Sequence, residues 1–123
     1  MKYCADTWFI LNAFGKDSKA IELINETKTR KTKIIIPMVV FAESIKKLMQ
    51  KGISKNIINQ FYDGVRSSEK VELIIIEESI AEEAAHLSLT YNIPLIDSFV
   101  AATCKLTDCD ALLSADEDYS ILT

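Results

Sequence analysis

The chain is poor in residues that interrupt regular structure: three glycines and two prolines in 123 residues. That leaves no Gly/Ser linker, low-complexity tract or internal repeat, and it implies regular elements joined by short turns. Histidine occurs once and cysteine three times. With one histidine, the spacing argues against a Cys/His zinc site. Three cysteines cannot all pair within one chain. Cys4 and Cys104 lie in apolar patterns and read as buried thiols, which suits a reducing compartment, and Cys109 reads as a turn residue. No apolar run approaches the roughly 20 residues that a membrane-spanning helix needs. The N-terminus passes from Met1-Lys2 straight into an apparent strand, with no signal-peptide h-region. The expected location is cytoplasmic, with no membrane. A basic excess is missing too. The net charge of −4 is not an electrostatic footprint for nucleic acid, although a cleft of carboxylates would account for it and a bound cation would reverse the local sign. There is no nucleophile elbow and no Gly-rich phosphate loop.

What is present is an ordinary globular balance, 49% hydrophobic and 26% charged, at a length that fits one domain over residues 1–123. Residues 2–6 read as a first strand. Thr7 to Phe14 has helical spacing and stops at Gly15, and Asp17-Ser18 offers an N-cap for a second helix with Ala20, Ile21, Leu23 and Ile24 as its stripe. Ile34-Ile35-Ile36, bounded by Pro37, is β-branched and apolar on both faces, as in a parallel strand covered on both sides. A helix follows over about 38–51, with Val40, Phe41, Ile45, Leu48 and Met49 inward, and ends at Gly52. Ser54 caps a fourth helix with Ile57, Ile58, Phe61 and Tyr62 inward. Val71 to Ile76 is a third strand. Glu77 to Thr90 is a helix carrying Ile80, Ala84, Leu87 and Leu89, broken by Asn92-Ile93-Pro94, and Asp97 begins another with Val100, Ala101 and Cys104 buried. Ala111 to Ser114 is a fourth strand, and 115–122 a short terminal turn or helix. Strands alternating with helix pairs, without a hairpin signal, predict an α/β fold: a three-layer α/β/α sandwich with a central parallel sheet of about four strands.

Four acidic residues stand where the apolar runs end. Asp6 closes the first strand, Glu43 lies one to two turns into the helix after the second, Asp97 opens a helix after Ile93-Pro94-Leu95-Ile96, and Asp116 follows the fourth strand. Ligands in open parallel sheets bind beyond the carboxyl ends of the strands. Two like charges about 5 Å apart repel by roughly 3 kcal/mol at an effective dielectric of about 20, so four gathered there call for a cation. An all-oxygen donor set selects Mg²⁺ or Mn²⁺, and one or two such ions suit hydrolysis of a phosphate ester by an activated water. Each residue also has a purely structural reading. Asp6, Asp97 and Asp116 fit helix N-caps, and Glu43 fits a surface helix position. Asp118 reads as a fifth ligand or as solvated surface, and Ser114 as a hydrogen-bonding support or a plain strand end. Lys28, Arg30, Lys31 and Lys33 form a basic patch that reads as a solvated loop in preference to a phosphate-backbone contact. Lys46, Lys47 and Lys51 fit a phosphate-contacting face or a solvated one, and Trp8 and Phe9 read as core or dimer contacts.

Asp6-Thr7, Phe41-Ala42-Glu43, Pro94 to Ala102 and Leu112 to Tyr119, in that order, resemble the PIN domain, and more narrowly the VapC-type ribonuclease toxins of prokaryotic toxin–antitoxin pairs. The resemblance implies a Mg²⁺/Mn²⁺-dependent endoribonuclease acting on RNA, a homodimer, and inhibition by a small cognate antitoxin whose C-terminal segment enters the acidic cleft. It also implies that Asp6, Glu43, Asp97 and Asp116 are catalytic and hold the metal, with Asp118 auxiliary and Ser114 supporting. Two departures stand out. Trp8 occupies a position where the family commonly has a small hydroxyl residue, a role that Thr7 can take over, and the chain ends before a fifth strand. These departures motivate the alternative of a degenerate, non-catalytic PIN module that binds RNA or a protein partner. A phosphatase or DNA nuclease using the same metal chemistry is a third reading.

Overall fold

A computed structural model of the protein describes residues 1–29 and 31–113. Arg30, Ser114, Asp116, Asp118 and the expected terminal turn or helix over 115–122 lie outside the described residues. The elements in chain order are β1 (Lys2–Ala5), α1 (Thr7–Phe14), α2 (Ser18–Thr29), β2 (Lys33–Pro37), α3 (Met38–Gln50), α4 (Lys55–Ser67), β3 (Val71–Ile74), α5 (Glu78–Tyr91), α6 (Leu95–Leu106) and β4 (Ala111–Leu113). The four strands form one parallel sheet in the order β3-β2-β1-β4, flanked by the six helices in an α/β/α arrangement.

The isoleucine run explains the middle of the sheet. Ile34, Ile35 and Ile36 are all buried, which suits a strand with a neighbour on each edge and helices on each face. Each such side chain contributes about 1.5–3 kcal/mol by leaving water. Local signals set the helix boundaries. Asp6 caps α1 by accepting from Phe9 N at 2.9 Å, Asp17 accepts from Ala20 N at 3.2 Å, and Ser54 caps α4. Gly52, at φ 84°, takes the turn after α3 that a side chain resists, and Asn92 ends α5 in the left-handed region at φ 54°. Helices α5 and α6 pack through Ile80, Ala84 and Leu87 against Ala101 and Ala102, where small side chains let the backbones approach.

Several expectations need correction. Strand β3 ends at Ile74, and Ile75 and Ile76 are exposed in the loop beyond it. It is an edge strand with one neighbour, so its apolar run outlasts its pairing. Met49, Ile57 and Leu89 face outward, Leu89 at 86% exposure. The inward lines are Val40-Ser44-Leu48, Ile58-Tyr62 and Ile80-Ala84-Leu87, each at the spacing of a single helix face. Asp97 does not open its helix. Pro94 is the N-cap, and Asp97 is the third helical residue.

Candidate active site

All four strands point the same way, so every chain segment leaving a strand emerges at one edge of the sheet. Chain order runs outward from β1 through β2 to β3, then jumps back so that β4 lies on the other side of β1. This reversal makes the carboxyl ends of β1 and β4 the switch point at which an open sheet leaves a crevice. Asp6 stands there. Its backbone N–H donates to Leu113 O at 3.0 Å, extending the β1–β4 ladder by one bond. Its side chain is 2% exposed, with Oδ1 fixed by Phe9 N. The cap bond therefore holds Asp6 at this crevice.

Glu43 lies on α3 and Asp97 in the first turn of α6, and both are half-buried. Together with Asp6 they line one pocket of about 210 Å³, shared with Thr7, Trp8, Lys47 and Val100. Three acids separated by 37 and 54 positions thus line one pocket. Glu43 is oriented by the buried Thr7, whose Oγ1 donates to Glu43 Oε1 at 2.5 Å. The first turn of a helix favours an anionic side chain, which suits Asp97. Lys47 follows Glu43 by one turn, and its Nζ lies 5.6 Å from the centroid of the Trp8 ring. Trp8 is half exposed, so it is not core, whereas Phe9 is. Glutamate and aspartate oxygens with a threonine hydroxyl form a hard donor set, which fits Mg²⁺ or Mn²⁺ and not a soft ion. Asp116, Asp118 and Ser114 fall outside the described residues.

Two other pockets differ in chemistry. An apolar cleft of about 260 Å³, lined by Phe9, Ile10, Phe61 and Val71 among others, has Lys28 as its charged residue and no acid. At the opposite, amino edge of the sheet, Met1, Lys2, Lys31, Lys33, Lys70 and Asp110 line a basic depression. Lys31 and Lys33 are exposed there, and His86 is exposed on α5.

Sequence reasoning missed a second cluster. Cys4 of β1, Cys104 of α6 and Cys109 in the loop before β4 bring their sulfurs within 4.8 Å of one another. Hydrogen bonding from Cys104 and Cys109, with burial, pushes the Cys4 thiol up. Hydrogen bonding toward Cys109, with burial, likewise raises Cys104. The half-exposed Cys109 is drawn down by bonds from Cys104 and Cys4, by Thr107 and by the Lys2 charge. The only signal in the sequence was the five-residue spacing of Cys104 and Cys109, which says nothing of Cys4.

The family model for the PIN domain matches residues 3–122. No curated protein matches the chain by sequence. Among solved structures the chain resembles VapC20 of Mycobacterium tuberculosis, described as a Sarcin-Ricin loop cleaving toxin, at 14% identity and a TM-score of 0.76, over 97% of this chain and 93% of that one. It resembles VapBC2 of Rickettsia felis, bound to a DNA fragment from its promoter, at 19% identity and a TM-score of 0.76, over 99% and 93%. A toxin–antitoxin complex from Klebsiella pneumoniae is similar at 18% identity and a TM-score of 0.71, over 96% and 90%.

Proposed function

Because the chain belongs to the PIN domain family, we propose that it is a Mg²⁺/Mn²⁺-dependent endoribonuclease and the toxin of a type II toxin–antitoxin pair, acting as one domain over residues 1–123. The observation that carries this reading is the meeting of Asp6, Glu43 and Asp97 in one pocket at the switch point of the sheet. Asp116 would complete the set, with Asp118 auxiliary and Ser114 supporting. The likeness to toxins solved alone and with antitoxins supports a small cognate antitoxin as partner. A homodimer and a cytoplasmic location belong to the same proposal. No helix among the described residues is long and apolar enough to cross a membrane.

Asp6, Glu43 and Asp97 would hold the ion. Bound there, it would supply Lewis-acid charge neutralisation for a phosphodiester and would make the attacking water more acidic. The chain supplies the rest. Asp6 is pinned through its cap bond and Glu43 through Thr7, so two carboxylates are preset and little rotamer freedom is lost when they are recruited. Lys47 sets a positive charge at the rim of an otherwise acidic pocket, where a phosphate must enter. The exposed Trp8 ring offers a stacking face for an unpaired base.

RNA cleavage tests the proposal. Wild type should cut in Mg²⁺ or Mn²⁺, lose activity in EDTA, and lose it in Asp97→Asn. If Asp97→Asn degrades a broad RNA panel as fast as wild type, the nuclease assignment fails. Calorimetric silence toward Mn²⁺ in folded protein would favour the non-catalytic module instead.

A further inference from the structure

The three cysteines form a second, chemically distinct centre. We propose that Cys4, Cys104 and Cys109 are a three-thiolate site for a soft, thiophilic metal ion, Cu(I) or Zn(II), independent of the acidic pocket and of its nuclease role.

The geometry is that of a site. The sulfurs come from three elements and lie within 4.8 Å of one another. An ion with metal–sulfur bonds of about 2.3 Å sets trigonal sulfurs about 4.0 Å apart, so small side-chain rotations close the triangle. Each ligand is held by backbone. Cys4 is paired in β1 with Ile35 on one side and Leu112 on the other. Cys104 lies in the last turns of α6. Cys109 returns over it through a left-handed turn at Asp108, φ 55°, with Cys109 N donating to Cys104 O at 3.0 Å. Cys4 and Cys104 are sealed from water, and the half-exposed Cys109 leaves an entry path. Around it, Thr107 Oγ1 lies 3.2 Å from Cys109 Sγ. The Lys2 ammonium, held by Thr107 O at 2.7 Å, supplies charge opposite to that of a thiolate cluster.

Thiolate donors select Cu(I) and Zn(II) over the hard ions suited to the acids. Three sulfurs alone satisfy Cu(I), whereas Zn(II) needs a fourth ligand, and a water at the open Cys109 side can serve. Loading transfers no electron. Each thiol that becomes a ligand releases its proton to solvent, and each sulfur gains one bond to the metal.

The test uses the reduced full-length protein under anaerobic conditions, titrated with Cu(I) against a chromophoric competitor and, separately, with Zn(II) against another. The expected result is one equivalent bound, and X-ray absorption tells the ions apart: three sulfurs for Cu(I), three sulfurs plus one oxygen for Zn(II). Cys109→Ser should weaken binding by more than the roughly 10–100-fold that losing an outer supporting group costs, and Asp97→Asn should leave it unchanged. In wild type, the loaded ion should protect Cys109 from iodoacetamide, a readout that needs no variant. The proposal is overturned if neither ion binds, if Cys109→Ser binds as wild type does, if Asp97→Asn abolishes binding, or if Cys109 alkylates equally with and without the ion.

Discussion

Thr7→Val changes little besides one hydroxyl, and the structure assigns that hydroxyl to Glu43. A hydrogen bond to a charged group is worth about 1.5–3 kcal/mol net, and because Glu43 is only half-buried the lower end applies. Without the bond Glu43 regains rotamer freedom. A glutamate's full side-chain entropy is about 1.5–2 kcal/mol, and a half-buried side chain recovers roughly 1 kcal/mol of it. The net loss of fold stability is then only about 0.5 kcal/mol. The same freedom must be surrendered when Glu43 is recruited to an ion, so the half-saturating Mn²⁺ concentration for RNA cleavage should rise about five-fold. Initial rates across a Mn²⁺ series, beside a urea melt, measure both quantities. Thr7→Ser keeps the hydroxyl and should restore the metal requirement. A contact that only packs the helix would move the melt and leave the Mn²⁺ series alone. An unchanged Mn²⁺ requirement in folded Thr7→Val would mean that Glu43 is not a recruited ligand.

Asp6→Asn keeps an oxygen for Phe9 N, so urea stability should hold within about 0.5 kcal/mol while cleavage falls by more than the roughly 100-fold of an outer-group loss. A large drop in stability would mean that the cap, not the pocket, is its main role. Trp8→Ala removes an exposed ring and should shift stability by no more than about 0.5 kcal/mol. It should weaken RNA binding in fluorescence polarisation by about 1–3 kcal/mol for a stacked base. Lys47→Met should lower the salt slope of that binding by about one. Burial holds the Tyr62 hydroxyl above its ordinary value of 10.0, although a bond from Ser44 partly offsets it. The unfolded chain therefore ionises first as pH rises, so the tyrosine's stabilising contribution is whole below about pH 10 and is lost above it. Tyr62→Phe should flatten that alkaline decline in urea melts, with Ser44 still bonded to Phe41 O at 2.9 Å.

The sheet and its helix pairs were legible because their signals are local and redundant. Three isoleucines beside a proline mark a strand, and Asp6, Asp17 and Ser54 mark helix starts that the hydrogen bonds bear out. What failed was the choice among neighbouring apolar residues on one helix. Ile57 and Ile58 are equally hydrophobic, yet only Ile58 meets the core, because a step of one residue turns the side chain by about 100°. Hydropathy also hid Ser44, fully buried on the inner line of α3, because its hydroxyl is satisfied by Tyr62 and Phe41 O. The thiol cluster was hidden for a different reason. Cys109 reaches Cys104 and Cys4 only through the left-handed turn at Asp108, and neither periodicity nor spacing reports a turn's direction.

The parallel sheet sorts this protein's chemistry along one axis. Each strand begins beside a lysine or Asp110 at the amino edge: Lys2 in β1, Lys33 in β2, Lys70 before β3 and Asp110 before β4. The acids gather at the carboxyl edge. Cys4 sits between them on β1, two residues before Asp6, which follows that strand, and Cys104 sits seven residues after Asp97 on the same helix. Strand β1 with its turn into α1, and the helix α6, therefore carry residues of both the proposed hard centre and the proposed soft one. Seven helical residues span about 10 Å, far enough for the two donor sets to stay separate, while a rigid strand and helix keep their relative positions fixed.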